Sequence, residues 1–207
     1  MTAQPTTLRD QRRETTRAWI RKAARVCFER EGAGNVSMEM VAAEAGIRRA
    51  TLYLYYPGKN ALLLDLLAQS LRATHGIYLQ LRDLSEPNLV QVRHWLANYA
   101  AEVAEHSAAV DLFRADIHSN AELRLMLRQH IERTMSLLGE RYACFDLGGI
   151  QGEARERRRF EASSMLREIE AFCADSWRDD YGLSPAAGLD ILAERLTGML
   201  VPGSGRA

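Results

Sequence analysis

No stretch of this 207-residue chain approaches the roughly 20 consecutive apolar residues that a membrane-spanning helix needs; the richest run, 61–68, is broken by Asp65. The opening MTAQPTTLRDQRR has no apolar segment behind its charges, so no secretory signal is expected. Cysteine is scarce. Cys27, Cys144 and Cys173 are odd in number and scattered, which excludes a disulfide framework and predicts small buried thiols in a reducing compartment, the cytoplasm. Alternation at period two is missing, as is any internal repeat, so a sheet is not expected. Catalytic signatures are missing too: there is no nucleophile elbow, zinc-protease pair or cysteine–histidine pattern, and no enzyme is expected.

Four further signals dissolve on the same reasoning. His94, His106, His118 and His130 recur every 12 residues, but at about 100° per residue each step turns the side chain by a third of a revolution, so they share no helix face. Glu102 and His106 have metal-ligand spacing without further ligands, and neither a metal nor another cofactor is expected. Gly32-x-Gly34 lacks the preceding strand of a phosphate loop and reads as a helix connector. The run Arg155, Arg157, Arg158, Arg159 is interleaved with Glu153 and Glu156 and reads as a solvated helix start.

Net charge is also zero, with 27 Lys and Arg against 27 Asp and Glu. Its distribution is not even. Residues 1–59 carry 11 basic against 6 acidic side chains, and residues 60–207 carry 16 against 21. A cationic head on an acidic body suits a nucleic-acid-binding module joined to a second domain. Apolar residues make up 47% of the chain, enough for a substantial core.

Periodicity predicts helices throughout. With residues 1–8 expected to be disordered, a first helix is predicted from about Thr15 to Glu31, with Trp19, Ile20, Ala23, Ala24, Cys27 and Phe28 on one face. Ser37 is a plausible N-cap for a second helix, and Pro57-Gly58 stops a third. A long fourth helix opens at Lys59 and ends near Leu84. Others are predicted around 88–105, 110–117, 121–142, 154–181 and 185–200.

The richest segment is SMEMVAAEAGIRRATLYLYYPGK, residues 37–59. Val41, Ala42, Ala45, Ile47 and Leu52 are placed to bury two short helices against each other, with Gly46 turning the chain sharply between them. Arg48, Arg49, Thr51, Tyr53, Tyr55 and Lys59 follow at once. That is a helix-turn-helix with its recognition helix attached. Together with AARVCFEREGAGNVSM before it and NALLLDLL after it, this segment resembles the N-terminal domain of the tetracycline-repressor (TetR) family of bacterial regulators over Trp19 to Leu67. The basic pair Arg48–Arg49 departs from the usual family pattern.

The residues suggest a division of labour. Arg48 and Arg49, at the helix start, are placed for base edges, because a guanidinium can donate twice to guanine. Thr51, Tyr53 and Tyr55 look like phosphate and sugar contacts, as does Lys59 at the start of the fourth helix, and Ser37 at the second. Arg9, Arg12, Arg13 and Arg17 could form an arm along the DNA backbone or in the minor groove. The bland alternative makes Tyr53 and Tyr55 core aromatics and the arginines a solvated face.

For the rest of the chain, the resemblance implies an all-α body in two parts, with residues 1–59 as DNA-binding domain and 60–207 as ligand-binding and dimerisation domain. Trp95, Tyr99, Phe113, His118, Met126, His130 and Met135 are the candidates for a small-molecule pocket. Leu166, Ile169, Cys173 and Trp177 on one C-terminal helix, with Leu192, Leu196 and Met199 on the last, are the candidates for a homodimer interface; the same stripes could instead close the monomer core. The function expected is a DNA-binding transcriptional regulator, a repressor released from operator DNA by a small, largely apolar effector, with no membrane partner. An activator of the same fold, a helical-bundle enzyme and a non-DNA-binding interaction protein are the alternatives.

Overall fold

The computed structural model describes residues 7–32, 34–105, 120–175 and 184–201. Within them eight helices form and no strand: α1 (Leu8–Glu31), α2 (Met38–Glu44), α3 (Arg49–Tyr55), α4 (Lys59–Arg82), α5 (Leu89–Glu105), α6 (Ala121–Gly139), α7 (Gly152–Asp175) and α8 (Pro185–Leu200). The helix expected at 110–117 and the end of the one expected to reach 181 lie outside the described residues, as do residues 1–6. No helix among the described residues is long and apolar enough to cross a membrane. No group of three or more His, Cys, Asp or Glu there is placed to hold a metal ion.

The first helix starts earlier than its apolar stripe. Thr7 caps it: the Asp10 amide donates to the Thr7 hydroxyl oxygen at 3.2 Å, and the Thr7 amide donates to the Asp10 carboxylate at 3.1 Å. These hydrogen bonds also hold the Asp10 pKa below its ordinary value. A reciprocal capping box satisfies two end donors, so the helix begins about two turns ahead of Thr15, before any side chain is buried. Periodicity reports burial and is blind to a helix segment standing in solvent.

The described residues gather into two compact units, 7–68 with Asn120, and 69–105 with 121–175 and 184–201. In the first, Ile20, Ala24 and Cys27 of α1, Val41 of α2, Leu52 of α3 and Leu62 and Leu66 of α4 are all essentially inaccessible. Trp19 is not part of that core. It is 59% exposed, and its indole N–H donates to the Ala45 carbonyl at the end of α2, 2.9 Å away. An amphipathic ring on the rim satisfies one of the orphan carbonyls that every helix end leaves.

Gly46 does what its position requires. It has φ +63°, its amide donates to Ala43 O and the Ile47 amide donates to Ala42 O, both at 3.0 Å. This paired pattern closes α2 and re-aims the chain into α3 within three residues. Pro57 and Gly58 follow the end of α3 at Tyr56, whose backbone is extended.

In the second unit, Tyr78 of α4, Leu96 of α5, Leu123 and Leu138 of α6, Ile169 of α7 and Leu196 of α8 build the core. Tyr142, in the turn after α6, donates to the Leu81 carbonyl at 2.7 Å and ties that turn to the end of α4. Gly188 of α8 lets α7 approach closely, because a Cβ there would overlap the Phe172 ring.

Candidate nucleic-acid interface

The seven-residue helix α3 buries one side chain, Leu52. Arg48, Arg49, Tyr53 and Leu54 are exposed, and Thr51 and Tyr55 are half-buried. The core aromatic of this segment is Tyr56, at 1% exposure. A helix held by a single leucine peg and its two ends presents nearly its whole circumference outward, as insertion into a groove demands.

Arg49 is held in place without being buried. Its guanidinium pairs with Glu39 of α2 at 2.8 Å, stands over the Tyr53 ring 5.4 Å from the centroid, and lies 3.5 Å from the Tyr53 hydroxyl. The Tyr53 hydrogen bond and the Glu39 charge raise its pKa, and it is a cation at every accessible pH. Glu39 in turn is lowered by backbone and Ser37 hydrogen bonds and by Arg49. Ser37 caps α2, accepting from the Met40 amide at 3.3 Å. Lys59 begins α4 with its ammonium 5.9 Å from the Phe28 ring centroid.

Beneath this face lies an ionic node that the sequence pattern did not reveal. Arg21, on the buried side of α1, donates to Asp65 of α4 at 2.9 Å and to Glu14 at 2.6 Å; the Tyr56 hydroxyl donates to the same Asp65 oxygen at 2.5 Å. Burial by itself would raise the Asp65 carboxyl, but the Tyr56 and Arg21 hydrogen bonds and the guanidinium charge outweigh it and the pKa falls. Burial and the bond to Asp65 push the Tyr56 phenol up. The Arg17 guanidinium covers the Tyr56 ring at 5.2 Å. Asp65 thus joins α1, the end of α3 and α4 through one carboxylate. Its signal in the sequence was a lone acid inside LLLDLL, a polar residue that an apolar helix face tolerates only with partners.

In the second unit, Trp95, Tyr99 and His130 come together around Tyr78, with ring centroids 5.4, 5.2 and 6.2 Å from that of Tyr78. All four are buried. The Trp95 indole donates to the Ile77 carbonyl at 2.7 Å. His130 Nε2 lies 3.1 Å from Glu170 Oε1 but outside hydrogen-bond geometry, and among the described residues the Thr134 hydroxyl oxygen has no partner. Burial, then Glu170, lift the Cys173 thiol to about 12. Met126 is half-buried, while Met135 faces a separate 340 Å³ hollow with Phe145 and Arg155. Phe113 and His118 lie outside the described residues. Thr134 and Glu170 were missed because each sits alone on a different helix.

Of the expected dimer residues, Leu166, Ile169 and Cys173 on α7 and Leu192 and Leu196 on α8 are buried within the single chain; they close its own core. A step-three-and-four stripe picks out the most apolar helix face, and the monomer takes that face first. Met199 is half-buried and Trp177 lies outside the described residues. The large apolar side chains left outside on these helices, among the described residues, are Phe160, 71% exposed, and Ile191, 57% exposed.

Residues 20–66, from the middle of α1 into α4, match the family described as bacterial regulatory proteins, tetR family. No curated protein matches the chain in sequence. Among solved structures, a TetR transcription regulator from Haloarcula marismortui ATCC 43049 is similar at 19% identity and TM-score 0.65, covering 90% of this chain and 97% of that one. Salmonella enterica GusR is similar at 22% identity and TM-score 0.61, covering 90% and 95%. The FadR repressor of Thermus thermophilus, described as a TetR-family transcriptional repressor in complex with lauroyl-CoA, aligns at 20% identity and TM-score 0.56, covering 92% and 98%. Residues 20–66 thus carry the sequence pattern of the tetR family of bacterial regulatory proteins, and nearly the whole chain shares the all-helical fold of these solved regulators.

Proposed function

We propose that the protein is a homodimeric transcriptional repressor whose α3 enters the DNA major groove and which leaves its operator when a small, largely apolar ligand binds the second unit. The observation that carries the DNA reading is the exposure of α3: with Leu52 alone buried, Arg48 and the Glu39-tethered Arg49 both stand exposed where base edges would lie. Tyr53, Tyr55, Thr51, Lys59 and the α2 end at Ser37 contact the phosphate backbone beside them. One head of this size offers few phosphate contacts, so two copies about one helical turn apart are needed for tight specific binding. The functional division runs 1–59 as head and 60–207 as body, with the start of α4 belonging to both tasks.

Support for an effector is chemical. Buried aromatic rings from α4 and α5 meet His130 of α6, with Glu170 of α7 against the histidine and, among the described residues, an unpartnered hydroxyl at Thr134. Orphaned polar atoms in an apolar interior are costly, and a ligand carrying one or two hydrogen-bonding groups on an apolar body would satisfy them. FadR of Thermus thermophilus, described with lauroyl-CoA bound, shows that this fold can hold an acyl ligand. Release follows if the ligand prefers a conformation in which α4 moves, since Asp65 on α4 holds Tyr56 at the end of α3.

The test is a selection of genomic DNA fragments on the purified protein, followed by gel shifts with the recovered duplex. Arg49→Ala should relax sequence preference, at about 1–3 kcal/mol for the best base. Lys59→Ala should weaken all duplexes alike and flatten the salt slope by about one unit. Wild-type binding that neither substitution alters would overturn the assignment.

A further inference from the structure

The first two turns of α1 were expected to be a loose arm; they are helix, and they stand beside α3. Between them lies a cleft of about 630 Å³ lined by Arg9, Arg12, Arg13 and Thr16 from α1 and by Leu54 and Tyr55 from α3. The four α1 residues fall at i, i+3, i+4 and i+7, a single helix face. From these we infer that the cleft is a second DNA seat, built to hold one sugar–phosphate strand at the edge of the groove that α3 enters. The inference rests on the DNA reading above.

Charge pairing separates these arginines from their neighbours. Arg21 and Arg30, further along α1, are tied to carboxylates. Arg9, Arg12 and Arg13 are exposed and have no ion pair among the described residues. Asp10, the acid in their midst, makes its hydrogen bonds to Thr7 and reaches Arg13 only through its charge. Three unpaired guanidinium groups on one face repel one another and focus a positive potential into the cleft. A polyanion relieves that repulsion, and a phosphodiester strand supplies one anion per nucleotide along the cleft.

The cleft's other surfaces suit the same occupant. Leu8 and Leu54 are 75% and 78% exposed, apolar surface that a free head gains nothing by showing to water. Against DNA they can pack on deoxyribose and on a thymine methyl group. Tyr55, half-buried at the cleft wall, offers a hydroxyl to phosphate and a ring face to sugar. The capping box matters for this role: it fixes the arginines on a rigid helix, so that their rotamers alone must be ordered on binding.

The experiment uses the full chain and the duplex recovered in the selection, with affinity followed by anisotropy between 50 and 200 mM salt. Arg9→Gln/Arg12→Gln/Arg13→Gln leaves the Thr7–Asp10 cap intact and should lower the salt slope by about 2.7 per half-site. Over that fourfold rise in salt, the wild type should lose roughly 40-fold more affinity per half-site than the variant. The ranking of base-substituted duplexes should not change, and the three-lysine variant, which keeps the charges, should keep the slope. A glutamine variant with the wild-type slope overturns the second seat, and so does a lysine variant that loses it. Neither result touches the role of α3, which stands or falls on the loss of sequence preference in Arg49→Ala.

Discussion

Asp65→Asn should destabilise the protein by about 2–3 kcal/mol at neutral pH. The wild-type carboxylate accepts from a guanidinium at 2.9 Å and a phenol at 2.5 Å, with the Arg21 side chain only 7% exposed. Charge-assisted hydrogen bonds contribute about 1.5–3 kcal/mol each, and breaking a buried pair costs about 3–5 kcal/mol because one charge is stranded. The lower figure applies because Arg21 keeps Glu14 at 2.6 Å and asparagine still offers Tyr56 one oxygen. For a chain of this length the loss corresponds to a fall of roughly 4–12 °C in Tm. The assay is urea unfolding at a single protein concentration, since dimerisation would add to apparent stability.

The same substitution makes a prediction in pH. The Asp65 pKa is lowered on folding. Its contribution is therefore present above the unfolded value, about 3.9, and is lost as pH falls through the lower folded value. The gap between wild type and Asp65→Asn should be full at pH 7 and shrink only below about pH 4. A double-mutant cycle with Tyr56→Phe should show coupling of about 1 kcal/mol. A neutral-pH loss under about 0.5 kcal/mol, or a gap indifferent to acid, would refute the node.

Three further outcomes follow from particular contacts. Gly46→Ala should cost about 1–2 kcal/mol in thermal unfolding, because a Cβ is strained at φ +63° although nothing crowds it there. Glu39→Gln should change stability by less than about 0.5 kcal/mol, since its pair with Arg49 is solvent-exposed; gel shifts should show tighter non-specific binding and weaker discrimination between base-substituted operators, because an acid leaves the DNA face and Arg49 loses its tether. Phe160→Glu with Ile191→Glu should convert the proposed dimer to monomer in sedimentation at micromolar concentration with the helical content retained; an unchanged dimer would move the interface elsewhere.

The order of α2, the turn at Gly46, α3 and its stop at Pro57 could be read from the chain because each is a local event: a cap, a left-handed residue, a proline. So could the exposure of Arg48 and Arg49, since Leu52 is the one apolar residue of α3 at a position that α2 can cover. The start of α1 could not, because a solvated helix carries no burial period and its cap lay in a stretch taken for disorder.

Tertiary structure alone decided who meets whom. Arg21 and Asp65 are far apart in sequence and meet because two helices bury opposite charges at one depth; Tyr78, Trp95, Tyr99 and His130 converge from three helices, a coincidence no single periodicity encodes. Stripes on α7 and α8 named apolar faces correctly but not their partners, since the hydrophobic effect has no direction and a chain satisfies its own core before offering surface to a second copy. Local chemistry wrote α3 and its turn into the sequence; packing chose which side chains brace that helix and which remain outside.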